Sequence, residues 1–151
     1  MSAAAGHARS EGPVVGRAQR HESAHLHVAG RAPYADDLAL PANTLHAAFA
    51  LSSRAHARIV ALDVSGVLAQ PGVVAVALPA DVPGDNNYGG MLHDDPIFTD
   101  TLVQYAGQPM FAVAATSYEA ARRAVRAVRV QYEDLPAILD VRDAIAAQSH
   151  V

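Results

Sequence analysis

The segment from Val103 to Leu139 constrains the fold more than any other part of the chain. Gly107, Gln108 and Pro109 form a turn signal that ends one extended segment, and Met110 to Ala115 is a short apolar run. Thr116 and Glu119 then have the spacing of a capping box, which satisfies free amides at the start of a helix. The pattern predicts a strand followed by a helix that begins near Ser117 and extends to residue 128.

The predicted helix is amphipathic. Tyr118, Ala121, Val125 and Val128 recur at helical spacing and form an apolar stripe. A different face carries arginines, at positions 122, 126 and 129. Because such a stripe must be buried, the helix is expected to lie on a β-sheet, and a strand is predicted to follow it from Arg129 to Glu133.

The other predicted elements are short. Alternating or apolar runs predict strands at His25–Gly30, Thr44–Leu51, Ala57–Asp63 and Val73–Leu78. Ser65 is expected to cap a single helical turn that ends before Pro71, and a short final helix is expected from Asp143. The prediction is an α+β fold, in which a mixed sheet packs with one main amphipathic helix and short helices. Its core is expected to come from Thr44–Leu51, Val73–Leu78 and Met110–Ala115.

Composition excludes several classes of function. The 151 residues, 51% hydrophobic and 17% charged, suit one domain with its own core. A net charge of -4 leaves no broad cationic face for nucleic acid. The absence of cysteine excludes disulfides, thiolate nucleophiles and cysteine-bound metal clusters in this chain. No apolar run suggests a membrane span or a signal peptide, so a cytoplasmic location is expected.

Residues 79–100 are predicted to form a long loop. They contain three prolines, three glycines and five aspartates but no arginine or lysine. Long irregular loops in compact domains are often functional, so this acidic loop is a candidate for contact with a partner surface. A solvated excursion is the alternative interpretation.

The His21–His25 segment, HisGluSerAlaHis, fits the formal pattern of a zinc protease. That pattern requires a rigid helix with His21 and His25 on one face and Glu22 as the base. The following residues alternate as in a strand, and the positions of an extended zincin motif hold Val28 and Arg31. We therefore expect no zinc hydrolase here. His21, His25 and His27 could still bind metal loosely, as histidine tracts do.

The remaining polar candidates have ordinary structural explanations. His46 and His56 lie in or beside predicted strands without a paired acid or nucleophile. Three carboxylate pairs occur, Asp36 with Asp37, Asp94 with Asp95, and Glu133 with Asp134. The AspAsnAsn run at 85–87 lacks calcium-loop spacing. Four arginines, at 122, 123, 126 and 129, could clamp an anion, although Glu119 is spaced to pair with Arg122 or Arg123. No residue is assigned as catalytic, cofactor-binding or metal-binding.

Several segments together resemble the first domain of the molybdenum-binding large subunit of the xanthine dehydrogenase and aldehyde oxidase family. The resemblance covers residues 20 to 151 in order. Besides the segment from Val103 to Leu139, it is carried by SerAlaHisLeuHisValAlaGlyArgAlaProTyrAlaAspAsp at 23–37, ThrLeuHisAlaAlaPhe at 44–49, ArgAlaHisAlaArgIle at 54–59, ProGlyValValAlaVal at 71–76 and TyrGluAspLeuProAlaIleLeu at 132–139.

The resemblance implies an α/β hammerhead domain at residues 23–147, after a flexible segment at 1–22 and before a linker that starts at 148–151. In this family, the segments that contact molybdopterin and the catalytic glutamate come from later domains. The chain is therefore expected to be a structural module that is inactive alone. Its implied partners are the molybdenum-binding domains of the same subunit and the iron–sulfur/flavin subunit.

The implied parent enzyme hydroxylates hypoxanthine and xanthine to urate in purine catabolism. Its implied cofactors are molybdenum–molybdopterin, [2Fe–2S] clusters and FAD, with electrons passing to NAD. Relatives that oxidise aldehydes, nicotinate or carbon monoxide remain alternatives, as does an independent assembly or metal-associated module. A surface normally covered by the other domains is expected to promote self-association. The chain is expected to be a truncated or separately encoded N-terminal portion of the longer subunit.

Overall fold

The computed structural model describes residues 15–16 and 18–149. Most of the predicted flexible segment at 1–22 and the last two residues of the predicted linker lie outside the described residues. The chain divides between Leu40 and Pro41 into two compact units.

Where the structure describes it, the first unit contains one short helix, α1 (Ala24–Val28), and a 3-10 turn (Ala35–Asp37). The strand predicted at His25–Gly30 is therefore wrong. The Ser23 carbonyl accepts hydrogen bonds from the N–H groups of Leu26 and His27, which starts a helical turn. Gly30, at φ 64°, then ends it. Four alternating residues are too few to separate a strand from one exposed helical turn.

The second unit contains two three-stranded antiparallel sheets. The first has the order β1 (His46–Leu51), β5 (Pro109–Ala115) and β3 (Val73–Ala77). The second has the order β4 (Leu102–Val103), β2 (Ala57–Asp63) and β6 (Arg129–Asp134). The predicted strands of this unit are thus present with small changes at their ends.

The main helix, α3, spans Tyr118–Ala124 and continues as a 3-10 turn (Val125–Ala127). It is shorter than predicted. Its N-cap is Ser117, whose hydroxyl accepts from the Ala120 N–H at 3.2 Å, so the cap predicted at Thr116 is wrong by one residue. The predicted apolar stripe is also partly wrong, because Tyr118 is 53% exposed.

Alanines form the buried face of α3. Ala120, Ala121 and Ala124 are at most 5% exposed. Ala120 and Ala121 pack with Ala48 of β1 and Ala115 of β5. Small side chains let the helix backbone lie close to the first sheet. The buried face of α3 therefore consists mainly of alanines and not of the larger side chains in the predicted apolar stripe.

Two other helices are short. The N-cap of α2 (Ser65–Leu68) is Val64, which makes no side-chain cap hydrogen bond, so the cap predicted at Ser65 is wrong by one residue. Asp63, just before the cap, accepts from the Ser65 N–H at 2.9 Å. α4 (Val141–Ala146) starts two residues before the predicted position, because Asp140 accepts from the Arg142 N–H at 2.8 Å.

The central strand β5 supplies most of the main core. Met110, Phe111 and Val113 are fully or almost fully buried and pack with Val67 of α2 and Ala124 of α3. Partly buried side chains of the second sheet complete this core, namely Ile59, Leu62, Val130 and Tyr132. The second sheet therefore packs on β5, the central strand of the first sheet. Ala50 of β1 and Ala124 of α3 belong to the same core, so this core also holds β1 and α3 together.

Candidate functional site

The N-terminal histidines do not assemble the zinc-protease arrangement. His21 and Glu22 precede α1, so the rigid helix that the motif needs is absent from this segment. The His21 and His27 rings meet edge to face at 5.7 Å between centroids, and His27 Nδ1 lies 3.1 Å from the Tyr34 hydroxyl. In residues 15–16 and 18–149, no three histidine, cysteine or acidic side chains are placed to hold a metal ion.

The two strand histidines have structural surroundings. His46 starts β1 and is half-buried opposite Ala115 of β5. His56 precedes β2, and its Nδ1 lies 2.6 Å from the Pro136 carbonyl oxygen, which joins the start of β2 to the chain after β6. Neither arrangement pairs a histidine with a nucleophile.

The carboxylate pairs are separated into different roles. Asp37 accepts from the Tyr34 N–H at 2.9 Å and stabilises a 3-10 turn. In β6, Glu133 pairs with Arg58 of β2 at 3.4 Å, while Asp134 pairs with Arg54 at 2.9 Å. One ion pair joins β2 to β6, the other joins the chain before β2 to β6, and neither forms a metal or acid–base centre. Asp94 and Asp95 are exposed in the acidic loop.

The acidic loop 79–100 is held to the second unit at its C-terminal end. The Asn86 side chain donates to the Phe98 carbonyl at 2.7 Å and accepts from the Phe98 N–H at 3.0 Å. Phe98 and Thr99 are buried, and the Thr99 N–H donates to the Pro109 carbonyl at 2.8 Å. His93 lies 3.3 Å from Asp85 on the exposed part. The loop is thus an anchored excursion with an exposed acidic tip.

Among the residues that the structure describes, Asp63 is the titratable group whose pKa is clearly shifted. Hydrogen bonds from the Ser65 hydroxyl and the Ser65 N–H, aided by the charge of Arg129, hold the pKa of Asp63 below its ordinary value. The carboxylate is therefore stabilised in its charged form just before α2, where it accepts a hydrogen bond from the first residue of the helix.

The arginines of α3 are arranged differently from the prediction. Among the described residues, the ion pairs are Arg54–Asp134, Arg58–Glu133 and His93–Asp85, so Glu119 does not pair with Arg122 or Arg123. The Arg122 guanidinium instead lies 5.6 Å from the centroid of the Tyr118 ring. This contact holds a positive charge beside strand β1.

One concave surface combines exposed apolar side chains with two arginines. It is a groove between β1 and α3, which we call the β1–α3 groove. It has a volume of about 370 Å³ and is lined by residues 47–49 and 51 of β1 and by Tyr118, Arg122, Val125 and Arg126. Phe49 and Leu51 are 58% and 54% exposed. The outward face of a strand is usually polar, so these two exposed apolar side chains set β1 apart.

Two other concave surfaces lie in the second unit. One, of about 310 Å³, lies beside His56 and the chain from Pro136 to Leu139. The other, of about 370 Å³, lies between Leu62, the Pro79 turn and Asp100. His56 and Ser149 both line the first of these surfaces, but their side chains are not hydrogen-bonded to each other, and His56 Nδ1 lies against the Pro136 carbonyl oxygen. None of the helices in the part of the chain that the structure describes has the length and apolarity needed to cross a membrane.

Comparison with known proteins identifies the family. The family described as "Aldehyde oxidase and xanthine dehydrogenase, a/b hammerhead domain" matches residues 29–136. Xanthine dehydrogenase 1 of Arabidopsis thaliana is 43% identical over 139 residues, which cover 92% of this chain and 10% of that protein. Aldehyde oxidase 3 of Rattus norvegicus is 40% identical over 137 residues, which cover 90% of this chain and 10% of that protein.

Solved structures agree with the sequence relatives. The aldehyde oxidoreductase from Desulfovibrio gigas superposes with a TM-score of 0.75 at 34% identity, over 86% of this chain and 15% of that one. The CO dehydrogenase from Oligotropha carboxidovorans superposes with a TM-score of 0.70 at 33% identity, over 83% and 16%. This chain thus spans about a tenth of the length of its sequence relatives. With its two antiparallel sheets and short helices, it belongs to the aldehyde oxidase and xanthine dehydrogenase family and forms that family's a/b hammerhead domain.

Proposed function

We propose that this chain is the hammerhead module of a molybdenum hydroxylase of the xanthine dehydrogenase type and that it supports the enzyme without performing the chemistry. The observation that carries the proposal is the match of residues 29–136 to the hammerhead domain. The xanthine dehydrogenase of Arabidopsis thaliana, at 43% identity, favours purine oxidation over the other reactions of the family.

The chain has no cysteine and so lacks the usual ligands of an iron–sulfur cluster. In this proposal, molybdenum–molybdopterin, [2Fe–2S] and FAD are held by other domains or subunits of the parent. No catalytic step is assigned to residues of this chain.

The proposed parent reaction converts hypoxanthine and xanthine to urate in the cytoplasm. In each hydroxylation a ring C–H bond is replaced by C–OH with oxygen from water, two electrons and one proton pass to NAD⁺, and a second proton is released. Xanthine needs one such step and hypoxanthine two. In this proposal the chain packs on the molybdenum-binding domains and borders the iron–sulfur/flavin subunit. The domain limits, residues 23–147 between a flexible segment and a linker, are part of the same proposal.

An activity assay on the purified 151-residue chain tests the proposal that the chain alone has no catalytic activity. The chain is incubated with hypoxanthine, benzaldehyde and a peptide substrate, and its metal content is measured by mass spectrometry. No turnover and no stoichiometric metal are expected. Stoichiometric zinc with peptide cleavage would instead support an independent metal-associated module built on His21 and His25.

The substrate class needs a separate experiment. The coding sequence that follows residue 151 is read and, together with this chain, expressed as one protein. Oxidation of hypoxanthine and xanthine faster than of aldehydes, nicotinate or carbon monoxide is expected. Preferred oxidation of an aldehyde or of carbon monoxide would replace the purine proposal by one of its alternatives and would leave the hammerhead assignment intact.

A further inference from the structure

Strand β1 has a free backbone edge in the described part of the chain. The first sheet has the order β1–β5–β3, so β5 covers one side of β1 and no described strand pairs with the other. An unpaired edge presents N–H and C=O groups that can accept an additional strand. The β1–α3 groove runs along this strand.

The side chains of β1 give the groove an apolar wall. Ala48 and Ala50 point inward and are 8% and 3% exposed, whereas the alternate residues Phe49 and Leu51 are more than half exposed. Phe49 is supported by the Phe98 ring, at 6.3 Å between centroids. β1 contains no lysine, arginine or proline, the residues that commonly prevent an edge strand from pairing. Its one irregularity is a register shift at its end, between Ala50 and Leu51.

The opposite wall is positively charged. Arg122 and Arg126 line the groove, and neither takes part in the three ion pairs found among the described residues. The chain as a whole carries a net charge of -4, whereas these two arginines make this wall of the groove locally positive. The groove therefore favours a negatively charged occupant.

We propose that the β1–α3 groove binds an extended, acidic segment of another polypeptide, which adds a strand to β1. Backbone hydrogen bonds to β1 would supply affinity, Phe49 and Leu51 would contact apolar side chains at alternate positions, and carboxylates would pair with Arg122 and Arg126. The proposal does not depend on the parent reaction, because it concerns binding by the chain alone.

A second copy of the chain fits this groove less well. Two β1 strands paired antiparallel are related by a two-fold axis perpendicular to the sheet, which places both α3 helices on the same face. Arg122 and Arg126 of one molecule would then face the same arginines of the other. β1 also supplies no carboxylate to pair with them. Charge therefore selects an acidic segment over self-pairing.

Peptide binding to the full 151-residue chain tests the proposal. The probe is a fluorescein-labelled ten-residue peptide of alternating valine and glutamate, followed by fluorescence anisotropy, and its match carries lysine in place of glutamate. The glutamate peptide is expected to bind at least about tenfold more tightly than the lysine peptide. Added salt should reduce that difference. Equal binding of the two peptides would overturn the charge-based assignment.

Variants locate the binding surface. Arg122→Glu combined with Arg126→Glu is expected to weaken binding of the glutamate peptide by about tenfold or more. Arg123→Glu is the matched control, because Arg123 is an exposed arginine of the same helix that does not line the groove, and it should change binding by less than about twofold. Circular dichroism checks that all three substitutions, at exposed positions, leave the fold intact. An equal loss with Arg123→Glu would contradict the proposal.

Two N-methylated peptides test strand addition itself. One carries methyl groups on its odd-numbered amides and the other on its even-numbered amides. Only one set faces a neighbouring strand, so one peptide should lose binding and the other should retain it. Equal affinities would show that no strand is added. Sedimentation is measured alongside, and a dimer of the chain that the glutamate peptide cannot displace would assign the groove to a second copy.

Discussion

At the scale of single residues, Gly72 shows how closely α3 approaches the first sheet. Gly72 has φ +86°, and a Cβ atom there would lie 2.9 Å from Thr116 Oγ1 and 3.2 Å from Ala120 Cβ. Its carbonyl accepts a hydrogen bond from the Thr116 N–H at 2.9 Å. The residue before β3 is thus in contact with the start of α3, and both its conformation and its size matter.

Gly72→Ala is expected to lower the free energy of unfolding by about 2–4 kcal/mol, since it adds overpacking to the strain of a positive φ. The matched control is Gly84→Ala, at φ +94° with nothing within 4 Å of the added Cβ. The control should cost only about 1–2 kcal/mol, the strain alone. Urea denaturation measures both values. Equal losses would show that Gly72 is not in close contact with α3.

Asp63 provides a prediction for pH dependence. Because the pKa of Asp63 is lower in the folded chain than in the unfolded chain, its contribution to stability is fully present above the unfolded-state pKa. The contribution is lost as the pH falls below about 4 toward the folded-state pKa. In Asp63→Asn, the free energy of unfolding should therefore decrease less between pH 6 and pH 3 than in the parent chain. Asp94→Asn, an exposed control in the acidic loop, should match the parent chain. An unchanged decrease in Asp63→Asn would contradict the stabilisation of this carboxylate by Ser65.

At the scale of elements, two substitutions at the N-terminus of α3 distinguish the observed cap, Ser117, from the predicted cap, Thr116. Ser117→Ala removes the hydroxyl that accepts from Ala120 and should cost about 1 kcal/mol. Thr116→Ala, at the cap position that the sequence pattern favoured, should cost less than about half of that, since Thr116 makes no cap hydrogen bond. Thermal and urea unfolding distinguish them. A larger loss for Thr116→Ala would restore the original capping interpretation.

The strands of the second unit could be predicted from the sequence because their apolar periodicity is strong. β2 has the predicted limits, and β1, β3, β5 and β6 differ from their predictions by one or two residues at an end. α1 was missed because four alternating residues match both a strand and one helical turn. The buried face of α3 was predicted only in part. The prediction relied on large apolar side chains, whereas small alanines pack closely on β1 and β5.

At the scale of the whole molecule, the family could be recognised from sequence, whereas the β1–α3 groove could not be found there. Its two walls come from residues 46–51 and 118–126, which are far apart in the chain and meet because β1 and α3 both pack on β5. The charge of the groove also depends on Arg122 lying over Tyr118 instead of pairing with Glu119. Which of these contacts an arginine makes depends on the tertiary packing around the helix and cannot be read from the spacing of residues in the sequence.

The central claim is that the chain is a supporting module whose reactive centre lies in other domains. Xanthine dehydrogenase 1 of Arabidopsis thaliana tests it directly if its matching segment is replaced by residues 29–136 of this chain. A parallel replacement by a glycine–serine linker of equal length is the control, and hypoxanthine turnover is measured per bound molybdenum.

The chimera should oxidise hypoxanthine with the substrate preference of its host, and the linker protein should not. If the chimera folds and binds molybdenum but its substrate preference changes, or if the linker protein is equally active, the chain is not the passive support proposed for it.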